Sequence, residues 1–239
     1  MLGFKGKKLR ELYDMKIQDI MIYKQIYSYY EQGKIKVKTV KKGECISEPY
    51  CDGYKIIFIL EGKVKIFSIS YQGKQILLDE VGENEFGGHI SKVRGHSFES
   101  TVVAKTDCTF LEFSDELFDQ LMEDTEFALL FYRNTSNRTY CMYKKMLAKT
   151  LFGQRELFAY YIGRRAKEGV VHISVSKICE DLGISRRSLY NIMHSFEESH
   201  IIQRGREQFI IKDSDRLSHI AEKVSGFYET FGTNCTNEF

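Results

Sequence analysis

Two arginines and an asparagine lie within six residues of one another in the last quarter of the chain. Arg186, Arg187 and Asn191 fall in the segment ISVSKICEDLGISRRSLYNIMHSFEESHII, residues 173–202. In the major groove of DNA, an arginine side chain binds guanine and an asparagine side chain binds adenine through paired hydrogen bonds. These residue types at this spacing predict base contacts, provided that a helix presents them on one face.

The surrounding sequence predicts the helices that would present these side chains. Ser174 and Ser185 are candidate N-cap residues, and Gly183 stands where the first helix must end. Apolar residues recur at helical spacing and give each helix a buried stripe: Val175, Ile178 and Leu182, then Leu189, Ile192, Met193 and Phe196. This pattern indicates a helix-turn-helix. A helical hairpin with an ordinary polar face is the alternative.

The predicted DNA contacts divide into base and phosphate contacts. Bases would be read by Arg186, Arg187 and Asn191, and phosphates would be bound by Ser185, Ser188, Tyr190 and Arg206. Arg204, Gly205 and Arg206 stand at the tip of a predicted hairpin, QRGREQFIIK, which is either a wing over the DNA backbone or a structural hairpin. Residues 150–239 carry 12 basic and 12 acidic residues, so phosphate binding depends on where the charges lie.

The first half of the chain predicts antiparallel β-structure. Alternation of apolar and polar residues defines six strands: KIKVKTV, KIIFIL, KVKIFSIS, KQILLDEV, STVVAKT and CTFLEFS. Strands of this number and length are typical of a small barrel or jelly roll. The predicted fold class is α+β, with an N-terminal antiparallel β-roll and flanking helices, a long helix, and a C-terminal winged helix-turn-helix.

Two helices are predicted after the strands. Ser114 is a candidate cap for DELFDQLMED, and a longer helix is predicted from about Thr125 to Lys149. One face of the longer helix carries Phe127, Leu130, Phe131, Asn134, Arg138 and Cys141. This face either packs on the β-domain or forms a dimer seam whose polar residues set the register. The helical pattern breaks after residue 149, so the predicted domains are 1–123, 124–149 and 150–239.

The order of these parts resembles the Crp/Fnr family of bacterial transcription regulators, from about Lys36 to Ser218. The resemblance is carried by KKGECI, YKIIFILEGKVKIFSISYQGKQILLDEVGENEFGG, AKTDCTFLEFSDELFDQLM and the helix-turn-helix. It implies a cyclic-nucleotide-binding-like sensor roll and a homodimer paired through the long helix. The two recognition helices would lie about 34 Å apart on a palindromic operator of double-stranded DNA. RNA polymerase would be a further partner of an activator.

The ligand segment departs from the pattern of the relatives that bind cyclic AMP. Those relatives hold the ribose and phosphate with a Gly-Glu-Leu segment and a later Arg-Ser pair. Here the segments read FGGHI and SFESTVV, so His89 stands where glutamate is expected, and Phe98 or Glu99 replaces the arginine. A buried phosphate without a guanidinium partner is costly, which argues against cyclic AMP. An unidentified effector would contact His89, Arg94, Phe98 and Glu99. Arg94 and His96 are predicted to lie in a loop, where they either approach an anion or, as we favour, are solvated.

The cysteines and histidines predict neither a metal cofactor nor an enzyme. No cysteine precedes Cys45, and five residues separate it from Cys51, so the spacing of an iron–sulfur cluster is lacking. The six cysteines are scattered, which favours a reducing cytoplasm, and no signal peptide or membrane span is predicted. The histidines lack HxH and HExxH spacing, and no catalytic constellation is present. The alternative function is a binding module in which DNA binding is vestigial. It would be either a redox module with a Cys45–Cys51 thiol switch or a module that binds a small molecule. A metal-dependent β-barrel enzyme is a more distant alternative.

Overall fold

A computed structural model of the protein describes residues 18–48, 56–69, 75–94, 100–205 and 208–230. The chain divides into two compact units, Met1–Ser136 and Asn137–Phe239. This division falls inside the long helix, and the predicted boundaries at 123/124 and 149/150 stay predictions. In the described part of the chain, no helix is both long and apolar enough to cross a membrane.

The first unit is an antiparallel β-roll built from two four-stranded sheets. The strands are β1 (Lys36–Val40), β2 (Cys45–Ser47), β3 (Ile56–Glu61), β4 (Val64–Ile69), β5 (Gln75–Val81), β6 (Phe86–Gly87), β7 (Thr101–Ala104) and β8 (Cys108–Phe113). One sheet has the order β1-β8-β3-β6 and the other β2-β7-β4-β5. The predicted jelly-roll-like fold is confirmed; the short strands β2 and β6 were not predicted, because three and two residues are too few to show alternation.

Strands β3 and β8 are buried on both faces, which explains their nearly continuous apolar sequences. Because neighbouring side chains of a strand point to opposite faces, Ile57 and Phe110 join a core shared with the second sheet. Phe58 and Phe113 lie on the other face, in a core that the helices complete. The roll therefore has one apolar layer between its sheets and another beneath its helices.

Helices cover the outer face of the first sheet. They are α1 (Tyr23–Glu31), α3 (Asp115–Met122) and the beginning of α4 (Thr125–Leu151), whereas α2 (His89–Arg94) follows β6. The predicted cap is confirmed, since the Ser114 side chain accepts a hydrogen bond from Leu117 N at 3.3 Å. The prediction that Arg94 lies in a loop is wrong: its backbone ends a short helix.

The second unit is a winged helical domain. Its elements are α5 (Gln154–Arg165), β9 (Val170–His172), α6 (Val175–Leu182), α7 (Arg186–Glu198), β10 (Ile202–Arg204), β11 (Gln208–Ile211) and α8 (Ser214–Thr230). The strands form an antiparallel sheet of order β10-β11-β9. A core that includes Phe158, Phe196 and Phe209 joins the helices to this sheet. This core fixes the position of α7, whose outer face carries the predicted DNA contacts.

Candidate nucleic-acid interface and effector region

The turn between α6 and α7 has the local geometry that the sequence predicts. Ser174 Oγ accepts from Lys177 N at 3.2 Å, and Ser185 Oγ accepts from Ser188 N at 3.0 Å, so both serines are N-caps. Gly183 has a φ of 70°, in the left-handed region that favours glycine at the end of a helix. The three residues fix where α6 ends and where α7 begins.

Helix α7 has one buried and one exposed face. Leu189, Met193 and Phe196 are buried, as predicted, and Ile192 is half-buried. On the opposite side, the exposed residues recur at spacings of three and four and form one stripe: Arg187, Tyr190, Asn191, His194 and Glu198. No acidic residue lies between 183 and 196. The stripe is therefore polar, and its first half, which contains Arg187, is positive, as binding in the major groove requires; Glu198 is at its far end.

The residues at the start of α7 differ in how they are held. Arg186 Nη2 donates to Ser176 Oγ of α6 at 2.8 Å, and the hydroxyls of Ser185 and Ser188 are 3.0 Å apart. Arg187 makes no hydrogen bond or ion pair within the described residues. The predicted phosphate contacts Ser185 and Ser188 are thus the cap of α7, with Ser185 exposed and Ser188 half-buried.

The predicted hairpin after α7 is present, and it is joined to the recognition helix. Strands β10 and β11 pair Arg204 with Phe209, and Arg204 N donates to Glu197 Oε1 at 3.2 Å. The Arg204 guanidinium lies 3.7 Å from the Glu197 carboxylate and 5.7 Å from the centre of the Tyr190 ring. Arg206, the predicted wing residue, lies outside the described residues. Arg204 is the wing arginine that the structure places beside the exposed stripe.

A buried carboxylate holds α6 to α5. Asp181 accepts from Tyr161 Oη at 2.6 Å and from Lys177 Nζ at 2.5 Å, and Arg165 lies 3.7 Å away. Burial, followed by the hydrogen bond to Asp181, raises the pKa of Tyr161 well above its usual value. The tyrosine is therefore a neutral donor at physiological pH, and it fixes the orientation of α6.

The predicted effector residues are described only in part. His89 begins α2 and is 8% exposed, with its ring 5.8 Å from Phe131 in an edge-to-face contact. The side chain of Arg94, together with Phe98 and Glu99, lies outside the described residues. Because His89 packs against an aromatic ring of α4, it contributes to the aromatic core of the roll.

The predicted dimer face of α4 belongs largely to the core of its own unit. Phe127 and Phe131 are 0% and 2% exposed and pack with Phe86. Asn134 Oδ1 accepts from Phe86 N at 3.1 Å, and its Nδ2 donates to Asn84 O at 2.7 Å. These three residues are buried by, or bonded to, the roll, and they are not available to a second copy. Asn134 is instead an amide clamp on residues 84–86.

The remaining residues of that predicted face are only partly accessible. Leu130 is half-buried, Arg138 is 8% exposed, and Cys141 is half-buried and disulfide-bonded. A different face of α4 exposes large apolar side chains: Leu129 (58%), Tyr132 (57%), Tyr140 (41%), Tyr143 (50%) and Met146 (58%). We call this set the exposed α4 face. Its residues follow one another at spacings of three, eight, three and three, which keeps them on one side of the helix.

The other described cysteines are free thiols in different surroundings. Cys45 is exposed, Cys108 is buried, and its Sγ donates to Lys63 O at 3.1 Å. Burial raises the pKa of the half-buried Cys179 thiol, whereas the charge of Arg186 opposes this rise. Cys51, the second member of the predicted thiol switch, lies outside the described residues. Within the described part of the chain, no cluster of histidine, cysteine and acidic residues could hold a metal ion.

Sequence reasoning missed three parts of this region. Ser176 and Arg204 were not among the predicted contacts. Ser176 lies ten residues from its partner on α7, and Arg204 lies seven and fourteen residues from its two partners, so these contacts follow from tertiary packing. The exposed α4 face was missed although its apolar spacing is visible in the sequence. Two apolar faces on one helix show only that both are candidates for burial.

Comparisons with known proteins agree with this architecture. Residues 37–125 match the cyclic nucleotide-binding domain family. No curated protein sequence matches the chain.

Solved structures extend the similarity beyond the roll. A Crp/Fnr-type regulator from Eubacterium rectale is 18% identical, with a TM-score of 0.65 over 84% of this chain and 93% of the other. A Crp/Fnr regulator from Thermus thermophilus is 17% identical, with a TM-score of 0.60 over 78% and 98%. The c-di-GMP-responsive regulator CLP from Xanthomonas campestris is 13% identical, with a TM-score of 0.64 over 79% and 98%.

These proteins are transcription regulators rather than enzymes. At such low identity, the similarity establishes the fold. Residues 37–125 therefore match the cyclic nucleotide-binding domain family, and the chain has the fold seen in solved regulators of the Crp/Fnr family.

Proposed function

We propose that this protein is a DNA-binding transcription regulator of the Crp/Fnr type and not an enzyme. The observation that carries the proposal is the exposed polar stripe of α7, which begins at a capped helix end and lies beside a hairpin. Arg187 and Asn191 are exposed on this stripe and have the chemistry to read guanine and adenine. Arg186 contributes from the flank of the helix, and Tyr190 and Arg204 lie near the DNA backbone.

The charges of the second unit predict a modest electrostatic contribution to binding. Acidic and basic residues balance over residues 150–239, but Arg186 and Arg187 stand in a stretch without acidic residues. Each phosphate contact releases counterions, so the number of contacts sets how steeply affinity falls with salt. We expect a shallow salt dependence and a specificity that rests on base contacts.

The dimer is proposed to form through the exposed α4 face. Tyrosine, leucine and methionine side chains that are 41–58% exposed gain by burial against a second copy, and a two-fold axis would use each of them twice. Two recognition helices related by such an axis contact half-sites about one turn of B-DNA apart. The operator is therefore expected to be a palindrome.

The effector is proposed to differ from cyclic AMP. The segment after β6 carries His89 packed on Phe131, where the cyclic-AMP-binding relatives carry a glutamate for the ligand. Control would follow from a population shift, in which an effector binds more tightly to the conformation that positions two recognition helices for DNA. If the protein is an activator, RNA polymerase would be its further partner.

Selection of bound sequences from a random DNA pool tests the proposal. The purified full-length protein is used without added effector, beside an Arg186→Ala/Arg187→Ala double variant. An enriched palindrome with half-sites about one helical turn apart, lost in the double variant, is the expected result. A palindrome that the double variant selects equally well would refute the assignment of α7 as the reading helix. Cell extract is then added as a source of effector. If no sequence is enriched at any protein concentration, with or without the extract, the proposal of a DNA-binding regulator is rejected.

A further inference from the structure

The two arginines at the start of α7 are held differently. Arg186 Nη2 donates to Ser176 Oγ at 2.8 Å, and the Arg186 charge also acts on the Cys179 thiol, one turn further along α6. The hydrogen bond to Ser176 places the guanidinium beside the first turn of α6. The Arg186 side chain lies over the first half of α6 and does not extend freely from α7.

The position of Arg186 on α7 explains this arrangement. Arg186 precedes the buried Leu189 and Met193 by three and seven residues, so it stands at the edge of the buried stripe, where α7 meets α6. Arg187 belongs to the exposed stripe and has no partner among the described residues. A flexible side chain loses conformational freedom on binding, and a side chain that is already held loses less.

We propose that Ser176 is a positioning residue that determines specificity at one base pair of each half-site. Its hydroxyl holds Arg186 at the crossing of α6 and α7, in a single conformation for base reading. Arg187 reads its own base pair without this support. The inference rests on the proposed function, and it assigns a role in sequence recognition to a residue outside the recognition helix.

A double-mutant cycle tests the inference. Ser176→Ala, Arg186→Ala and the double variant are titrated against the selected operator and against operators changed at one base pair. Ser176→Ala is expected to reduce discrimination about three- to tenfold, at the same base pair at which Arg186→Ala abolishes it. In the Arg186→Ala background, Ser176→Ala is expected to have no further effect. Ser176→Thr, which keeps the hydroxyl, is expected to restore discrimination.

A matched control lies on the opposite flank of α7. Arg155 Nη1 donates to Ser195 Oγ at 3.0 Å, so Ser195→Ala removes a similar arginine–serine hydrogen bond away from the α6 crossing. We expect Ser195→Ala to leave discrimination at every base pair within twofold of the wild-type value.

Three results would overturn the proposal. If Ser176→Ala weakens binding to all operators equally, Ser176 contacts a phosphate. If Ser176→Ala reduces discrimination as much in the Arg186→Ala background as in the wild type, Ser176 acts independently of Arg186. Unchanged discrimination in Ser176→Ala shows that Arg186 needs no support. If the wild-type protein selects no sequence, the proposed function itself fails, and that outcome is distinct because it appears before any substitution is made.

Discussion

The exposed α4 face allows the proposed dimer to be tested quantitatively. Tyr143 is 50% exposed. A tyrosine buries roughly 200 Å² when it is fully covered, so about 100 Å² of Tyr143 is available to a partner. At about 25 cal/mol per Å², burial of this area contributes about 2.5 kcal/mol per copy. Two-fold symmetry doubles the contribution, so Tyr143→Ala can weaken the dimer by up to about 5 kcal/mol, roughly three to four orders of magnitude in Kd.

Sedimentation equilibrium of the full-length protein measures this Kd directly. Tyr27 of α1 is 45% exposed and lies outside the exposed α4 face, so Tyr27→Ala is the matched control. We expect Tyr143→Ala to raise the dimer Kd by at least about 100-fold and Tyr27→Ala to leave it unchanged. Operator binding should then require a correspondingly higher protein concentration. A dimer Kd within about threefold of the wild-type value in Tyr143→Ala would refute the reasoning.

Three further substitutions test the DNA-reading stripe, the roll and the second unit. Arg187→Ala should raise the operator Kd about 5- to 150-fold and relax preference at one base pair; a uniform loss in titrations against operator variants would contradict base reading. Gly62→Ala should lower the free energy of unfolding by at least about 2 kcal/mol, because φ is 90° and the added Cβ meets a carbonyl oxygen at 2.3 Å. Gly33 has a φ of 71°, but an added Cβ would meet no atom within 4 Å, so Gly33→Ala should lower the free energy of unfolding by only about 1 kcal/mol. Equal urea midpoints for the two variants would refute the steric explanation for Gly62. Tyr161→Phe should lower the free energy of unfolding by about 1.5–3 kcal/mol at pH 7. Because the pKa of Tyr161 is higher in the folded than in the unfolded state, its stabilising contribution is complete below pH ~10 and falls as the pH rises further. In urea unfolding, the difference in the free energy of unfolding between wild type and Tyr161→Phe should therefore decrease above pH ~10. A difference that stays constant with pH would contradict the raised pKa of Tyr161.

The helix ends that serine or glycine residues form could be predicted because they depend on neighbouring residues. Ser114, Ser174 and Ser185 each accept a backbone hydrogen bond from the residue three positions later. Gly183 ends α6 in the left-handed conformation that other residues adopt at a cost. Such contacts span three or four residues, so the sequence pattern contains all the information that they need.

The division of α4 between two faces could not be predicted from the same kind of pattern. Phe127 and Phe131 alternate with Leu129 and Tyr132, and both pairs have helical spacing. Only the position of the roll decides which pair is buried within the unit, and that position depends on packing against β6 and α3. For the same reason Asn134, predicted as part of a dimer seam, proved to bind residues 84–86.

The Asn134 clamp limits which side chain this helix position can tolerate. A carboxamide offers an acceptor oxygen and a donor nitrogen at a fixed separation; here the oxygen accepts from Phe86 N and the nitrogen donates to Asn84 O. Aspartate has the same shape but no donor when ionised, and it would place a negative oxygen against the Asn84 carbonyl. Leucine would leave both backbone groups without this partner, and glutamine would move the amide outward by one methylene group. Asparagine therefore satisfies this site where aspartate, leucine and glutamine do not, so sequence variation among close relatives is expected to spare it.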